Sequence, residues 1–444
     1  MLLMCNSDDS SYKKALDYIY SLRPRGVKFG LDNERYLLER LDVDYNRIPI
    51  FHIAGTNGKG SVSSFIASAL RSAGYKVGLY TSPHLKIFGE RIRVGGFPLS
   101  GNELCSLLSK IMPIVEDMDE RGMRPTFFEV VTAMAFLHFH TEQVDVVVLE
   151  VGMGGRLDAT NVIDRSLVSV ITNVAIDHQA YLGYTIKEIA YEKSGIIKPY
   201  CPVVTGSTEV DALNVITEKA KREHSPLYVV NRDFGFKVVE MKLKGTTFDY
   251  YDSDGRVERV RLSMLGFHQV VNASVALKAI RSQSNFNVGE DALRNGFERA
   301  FWPGRFEVVQ CDKKTIVLDG AHNCNGASVL GDALNLYFDE DMVLVVGILG
   351  DKDAEGMLRY IMPFVRDVVI TKPNYYRAMD VQKLYSVVSK FLDEDRIHLV
   401  ENVSNAVEKA LSMDASLVCI TGSLYTVGEA RAYLEGTGII KRGS

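Results

Sequence analysis

The stretch Phe51-His-Ile-Ala-Gly-Thr-Asn-Gly-Lys-Gly-Ser61 limits what this chain can fold into more than any other. An apolar run from Ile48 to Ile53 leads into a loop holding Gly55, Gly58 and Gly60, and Val62 to Leu70 follows with helical spacing. The order is strand, loop, helix. Glycines let the backbone take positive φ and come close to an anion, so successive N–H groups and the positive end of the helix face a phosphate. In that geometry Lys59 neutralises the β- and γ-phosphates of a nucleotide, and the Ser61 hydroxyl reaches a Mg²⁺ ion. Gly60 separates the lysine from the serine, where G-x-x-x-x-G-K-[ST] has them adjacent. The plain alternative is a glycine-rich turn between a strand and a helix.

At 444 residues there is chain for about two or three domains. Hydrophobic residues at 46% and charged residues at 24% place it among globular proteins. Lys and Arg number 51 against 56 Asp and Glu, so no broad electrostatic case exists for nucleic acid or a membrane surface as partner. Any anion must be bound locally. The six cysteines (Cys5, Cys105, Cys201, Cys311, Cys324, Cys419) show no C-x-x-C pair, as expected of reduced thiols in a cytoplasmic protein. Met1 to Asp9 has no basic region or apolar core of a secretory signal, and no apolar run approaches the ~20 residues of a membrane span.

Helical periodicity marks Tyr12 to Leu22 and Asp32 to Leu41, with a loop at Lys28-Phe29-Gly30-Leu31 between them. Lys76 to Tyr80 reads as a short strand, and Thr81-Ser82-Pro83-His84-Leu85 as a rigid turn at its carboxyl end, the edge where open α/β sheets bind ligands. From the residues alone, a plain turn is the favoured reading. Gly89 to Val94 reads as a strand with a hairpin at Gly95-Gly96, and Asn102 to Met118 and Thr126 to His140 as helices. Val144 to Val151 is a nearly continuous apolar strand tipped by Glu150, where α/β ATPases place a Mg²⁺ ligand or a group that polarises water. Gly152 to Asn161, holding Asp158, is too glycine-rich and polar to be core. The strand Leu167 to Ile171 leads through Asn173 to His178, which serves either as a metal ligand or as a core hydrogen-bonding group. Thr185 and Glu188 form a capping box for a helix ending near Lys193, whose plain reading is a lysine favoured by the helix dipole.

Phe234 to Leu262, with its Asp254-Gly255 turn, reads as a β-hairpin forming a small appended sheet. Leu265 to Ala276, holding Asn272, and Val288 to Ala300 are helical, and Trp302-Pro-Gly-Arg305 marks a domain boundary. Beyond it, Thr315 to Asp319, Met342 to Gly347, Asp367 to Thr371 and Leu417 to Thr421 alternate with helical segments such as Val381 to Phe391. That pattern predicts a second, smaller parallel α/β domain with polar strand ends at Asp319 to Asn323, Gly350 to Asp353 and Gly422 to Tyr425. No persuasive Ser-His-Asp or Cys-His set is present. The residues alone therefore predict a two-domain, nucleotide-dependent enzyme.

Several blocks in one order carry a further signal. Gly55-Thr-Asn-Gly-Lys-Gly-Ser61, Thr81-Ser-Pro-His-Leu85, Thr126-Phe-Phe-Glu129, Leu149 to Asn161, Glu192-Lys-Ser-Gly195, Trp302-Pro-Gly-Arg305, Asp319-Gly-Ala-His322 with Asn323, and Gly422-Ser-Leu-Tyr425 span nearly the whole chain. Together they resemble the folylpolyglutamate/dihydrofolate synthase family of the Mur ligase superfamily. The resemblance implies an ATP-dependent amide ligase that adds L-glutamate to dihydropteroate or reduced folates through an acyl phosphate. It implies an α/β fold: a P-loop, parallel-sheet ATP-binding domain over residues 1–303 with the pterin or folate site, and a Rossmann-like domain over 304–444 completing the nucleotide and glutamate sites.

Position by position, the resemblance implies that Thr56, Asn57, Gly58, Lys59, Gly60 and Ser61 hold the ATP phosphates. Asn272, Arg305, Asp319 and His322 match further nucleotide contacts. Ser61 and Glu150 match ligands of one Mg²⁺, and Glu150 with His178 ligands of a second. Lys193 matches a lysine that the family carbamylates. Thr126, Phe127 and Asp158 match the pterin side, the aromatic face stacking and the carboxylate pairing with pterin N–H groups, and Ser82-Pro83-His84 matches the folate loop. Met153, Ser194 and Gln179 are small departures that leave the chemistry in place. Small-molecule substrates, a monomer and no nucleic-acid or membrane partner are expected. Rival readings are a Mur-type ligase acting on a muramyl precursor and a regulatory nucleotide switch.

Overall fold

The chain alternates strands with helices, and parallel strands need such crossovers to return to the same end of a sheet. The computed structural model describes residues 10–26 and 28–440. Cys5 and the Met1 to Asp9 stretch considered as a signal lie outside the described residues. Two units divide the chain: residues 1–237, 249–260 and 271–300 form the first, and 238–248, 261–270 and 301–444 the second.

The first unit is built on eight strands: β1 Ile50–Ala54, β2 Val77–Tyr80, β3 Ile92–Val94, β4 Phe97–Pro98, β5 Val146–Glu150, β6 Val168–Ile171, β7 Val203–Thr205 and β8 Leu227–Val229. Their order is β4-β3-β2-β5-β1-β6-β7-β8. From β2 to β8 the pairing is parallel, and β3 and β4 add an antiparallel edge. Every residue of β1, β5 and β6 is buried, as continuous apolar runs require when both faces of a sheet are covered. Alternate residues Val147 and Leu149 join a core with the helices Gly101–Glu120 and Phe127–Thr141. The latter is apolar all round, buried without a break from Glu129 to Phe139.

Three expectations about elements change. Gly89 lies in a 3₁₀ turn, Phe88–Arg91, so the predicted strand begins only at Ile92; the Glu90 carboxylate accepts the Leu85 and Ile87 N–H groups and winds the chain there. Phe234 to Leu262 is three strands instead of a hairpin: β9 Phe234–Lys242, β10 Gly245–Asp252 and β11 Gly255–Leu262, ordered β11-β10-β9. A second turn at Gly245, whose φ is 132°, accounts for the extra reversal. The third concerns the second unit, whose sheet is mixed.

That sheet holds β12 Glu307–Cys311, β13 Lys314–Leu318, β14 Met342–Val346, β15 Val365–Ile370, β16 Ile397–Leu399 and β17 Leu417–Thr421 in the order β12-β13-β17-β14-β15-β16. All pairs are parallel except β12 with β13, which follow each other through a tight turn at Asp312, φ 51°. Helices such as Val381–Val388 bury one apolar stripe against this sheet. Among the described residues no helix is long and apolar enough to cross a membrane.

Candidate active site

β1 lies between β5 and β6, with Ile53 level with Glu150 and Ala54 level with Ile171. The loop after β1, the carboxylate at the tip of β5 and the segment after β6 therefore emerge side by side. Thr56 N–H donates to the Asn173 carbonyl at 2.9 Å, Asn57 N–H to Asn173 Oδ1 at 2.7 Å, and the Thr172 hydroxyl to the Asn57 carbonyl at 2.6 Å. Thr56 Oγ1 also exchanges hydrogen bonds with the Ala175 carbonyl and N–H. Gly55 and Gly58 are required here: their φ values are 150° and 84°, and a Cβ on Gly58 would sit 2.6 Å from Asn272 Oδ1. Asn272 thus faces the loop from the helix Phe267–Arg281.

Gly58 is the N-cap of the helix Lys59–Ser72, which has no side-chain cap. Gly60 and Ser61 form its first turn, with Ser61 buried. Lys59 Nζ donates to the Gly55 and Thr56 carbonyls at 3.0 and 3.1 Å, and Lys193 Nζ donates to the same Gly55 carbonyl at 2.9 Å. Lys193 is buried near the end of the helix Ile186–Ser194, which opens with the expected Thr185/Glu188 capping box. Burial and the neighbouring Lys59 charge push the Lys193 ammonium down to about 7, against the opposing pull of Asp177 and Asp158. Glu150 is buried, with one oxygen accepting the Ser82 N–H at 3.1 Å. His178 is exposed, takes φ 50°, and caps the short helix Gln179–Leu182. Asn173, Thr172 and the buried Asp177, all around this loop, carried no assigned role in the sequence. Only the adjacency of β1 and β6 brings them in.

Thr126 caps the helix Phe127–Thr141, sharing a capping box with Glu129. The Phe127 ring stacks on Tyr20 at 6.1 Å, and the Arg23 and Arg91 guanidiniums each stand 5.3 Å from its centroid. Arg91 Nε donates to His84 Nδ1 at 2.8 Å, which leaves that imidazole neutral with its proton on Nε2. Burial and the Arg91 and Arg23 charges lower the His84 pKa to about 3. The preceding Ser82-Pro83 peptide is cis. Tyr20, Arg23 and Arg91 had no motif to mark them.

The Gly152 to Asn161 loop is polar yet buried, contrary to expectation: Asp158, Thr160 and Asn161 are all inside. The reason is that most of its buried polar atoms bond within the loop or to its neighbours, although Asn161 Oδ1 has no partner among the described residues. Asp158 Oδ1 accepts the Thr160 N–H and hydroxyl at 3.1 and 2.6 Å, and Oδ2 the Met153 N–H at 2.9 Å. His52 Nε2 lies 3.0 Å from the Thr160 hydroxyl, and Asn161 Nδ2 donates to the Arg156 and Gly195 carbonyls. Burial raises the Asp158 pKa against these bonds.

In the second unit Arg305 packs on Gly320, where a Cβ would meet its guanidinium at 2.5 Å. Asp319 accepts the Phe306 and Ala321 N–H groups at 2.8 and 2.9 Å, and burial raises its pKa although Arg305 opposes. His322 Nδ1 lies 2.9 Å from the Gly320 carbonyl, and Asn323 caps the helix Cys324–Tyr337.

Residues 53–280 match the Mur ligase middle domain and residues 304–424 the Mur ligase glutamate ligase domain. The chain is 36% identical over 435 residues to the dihydrofolate synthase/folylpolyglutamate synthase of Bacillus subtilis, covering 96% of this chain and 100% of the relative. It belongs to the folylpolyglutamate/dihydrofolate synthase family of Mur ligases. Among solved members of that family, the folylpolyglutamate synthase of Thermotoga maritima is 40% identical with a TM-score of 0.85, covering 97% of this chain and 98% of the other. The Mycobacterium tuberculosis folylpolyglutamate synthase, solved with ADP and AMPPCP, is 33% identical with a TM-score of 0.88, covering 95% and 98%.

Proposed function

We propose that this chain is an ATP-dependent carboxylate–amine ligase that adds L-glutamate to dihydropteroate and to reduced folates. The observation that carries the reading is the convergence of Lys59 and Lys193 on the Gly55 carbonyl, at the uncapped start of the helix Lys59–Ser72 and in the folylpolyglutamate/dihydrofolate synthase framework. ADP and AMPPCP in the Mycobacterium tuberculosis relative support ATP as co-substrate.

The Thr56 to Ser61 amides and the Lys59 ammonium take the β- and γ-phosphates, with Asn272 in the first unit and Arg305, Asp319 and His322 in the second assigned to the rest of the nucleotide. A substrate carboxylate oxygen attacks the γ-phosphorus and ADP leaves. The glutamate amine then attacks the acyl carbon, releasing phosphate and losing a proton. Neither step needs a protein nucleophile, only placement and charge neutralisation.

Ser61, Glu150 and His178 are the residues we assign to Mg²⁺, Glu150 being shared between two ions, which when bound offset phosphate charge. The donor set fits: a buried hydroxyl and a buried carboxylate offer oxygen to a hard cation. Lys193 as an ammonium opposes a cation there. With its pKa near 7 it is substantially a neutral amine, and attack on CO₂ forms an N–C bond, releases a proton and leaves a carbamate anion. Carbamylation turns the buried residue from an obstacle into a partner. To the pterin side we assign Phe127, Thr126 and the Ser82-Pro83-His84 turn, joined through Arg91 over the Phe127 ring and bonded to His84, while Asp158 fixes the Gly152 to Asn161 loop. We assign the phosphate loop and the pterin site to residues 1–303 and the completion of the nucleotide and glutamate sites to residues 304–444, in a cytoplasmic monomer.

The test is phosphate release from ATP, Mg²⁺ and L-glutamate with dihydropteroate or tetrahydrofolate in separate reactions, the products weighed by mass spectrometry. One added glutamate on each substrate is expected. Gain on tetrahydrofolate alone restricts the activity to polyglutamylation, and release with neither overturns the reading.

A further inference from the structure

Lys76 immediately precedes β2, at the edge of the first sheet opposite the phosphate loop, and its Nζ donates to Glu142 Oε2 at 3.0 Å. Glu142 follows the last turn of the helix Phe127–Thr141, four residues after His138, so the two share a face. Glu103 reaches the same place from the first turn of the helix Gly101–Glu120. Each of the three offers one ligand atom, and these atoms lie within 4.8 Å of one another. Phe127 is at the other end of its helix, about 16 Å along the axis from His138, so the cluster is also separate from the pterin side.

His138 is the unusual member. It is only 4% exposed, and among the described residues its ring has no hydrogen-bond partner, its one ring contact being Phe139 at 6.5 Å. A buried polar group is normally bonded. Burial, helped by Lys76, lowers the pKa of this imidazole although Glu103 and Glu142 pull it upward. Near neutral pH the ring is therefore uncharged and keeps a lone pair on one nitrogen, the form that ligates a metal ion.

The two carboxylates are already oriented. Glu103 Oε2 accepts the Ser100 N–H at 2.7 Å within the helix cap, and Glu142 Oε2 is fixed by Lys76. Bonds of this kind aim ligands, and since a carboxylate has two oxygens each keeps one for a cation. Two Glu charges face a neutral ring with Lys76 as counter-charge, which leaves an excess of negative charge. Bonds of about 2.0–2.2 Å put the ligand atoms of one Zn²⁺ about 3.3–4.2 Å apart, so closure asks only for small rotations of carboxylates that reach solvent.

We propose that Glu103, His138 and Glu142 bind one Zn²⁺ ion, with water as the fourth ligand. An imidazole nitrogen beside two carboxylate oxygens suits a borderline transition ion, whereas Mg²⁺ and Ca²⁺ favour oxygen alone. Bound there, the ion joins the first turn of the helix Gly101–Glu120 to the end of the helix Phe127–Thr141. The site lies outside the ligase reading and stands without it.

The test strips the full chain of metal with a chelator and titrates it with Zn²⁺ in excess Mg²⁺, which fills oxygen-rich sites. Wild type is expected to take up one Zn²⁺, and His138→Gln and Glu103→Gln each to bind it about tenfold or more weakly. Co²⁺ in place of Zn²⁺ should give a visible absorption band in wild type that both variants lose. Equimolar Zn²⁺ should also raise the thermal midpoint of wild type by about 3 °C and leave that of the variants unmoved. Glu103 stands at the surface, so Glu103→Gln keeps the test open if His138→Gln does not fold. No uptake by wild type, or uptake equal in wild type and Glu103→Gln, overturns the site.

Discussion

Both sheets end in polar loops at the carboxyl ends of parallel strands, but they treat charge in opposite ways. At β1, the Lys59 and Lys193 Nζ atoms meet on one backbone carbonyl, and the following helix starts at Gly58 with its first-turn amides uncapped by a side chain. At β13, a carboxylate is turned inward onto two amides, and Asn323, Asp353 and Ser423 cap the helices that follow their strands. An edge where a helix starts without a side-chain cap beside the Lys59 ammonium suits a polyanion. An edge whose donors are already used by its own side chains is arranged to hold its shape. Within the first unit Ser100, Thr126 and Thr185 cap their helices with a side chain, whereas Gly58, like Leu31, Glu209 and Gly289, does not.

The sharpest way to break this contrast is Lys59→Ala. Turnover should fall by about a thousandfold with the far-ultraviolet spectrum unchanged, and near-wild-type turnover would remove the phosphate role. Next comes Lys193→Ala, for which about a hundredfold loss is expected, with partial recovery on adding a short-chain carboxylic acid. The same variant tests the pH sign. A lysine whose folded pKa is depressed to about 7 binds fewer protons folded than unfolded, so wild-type stability gains as pH rises from about 7 to the unfolded value. Denaturant midpoints measured across that interval should rise less in the variant.

At the second edge the effects should be smaller. Asp319→Asn is expected to raise KM for ATP about tenfold with kcat less affected, because the amide still fills the space but loses an acceptor for the Phe306 or Ala321 N–H. A collapse of kcat as large as that of Lys59→Ala would erase the distinction between the edges. The smallest effect concerns His84. Its folded pKa of about 3 lies below the ordinary histidine value, so its contribution is present above that ordinary value and is lost as pH falls toward 3. The thermal midpoint of His84→Gln should decline less steeply than wild type between pH 6.5 and 4.

What the sequence discloses follows the range of the interaction. β1, β5 and β17 are legible as apolar runs, and the Thr185/Glu188 box as local spacing, because partners lie within a few residues. β7 and β8 span three residues each, too short to show a period, and the helix Val210–Arg222 between them went unread with them. Lys59 and Ser61 stand out by motif. Asn173 does not, since its partner Asn57 is 116 residues away and only sheet order makes them neighbours. The same holds for His52 and Thr160, a polar contact across 108 residues that puts a polar loop into the interior. Lys193 shows most plainly where the limit lies: by spacing it is an ordinary helix-end lysine, marked only by the family resemblance, and its burial against Gly55 is what changes its chemistry.

The helix Phe127–Thr141 is enclosed without a break from Glu129 to Phe139. Local fraying cannot release its central amides to solvent, so deuterium should enter Val131 to His138 only when the first unit unfolds as a whole. Phe127 is the first residue of that helix, so its ring is anchored to an enclosed part of the unit. On the assignment of Phe127 to the pterin, selection there would be by rigid exclusion, because the wall that would have to yield is rooted in an enclosed helix.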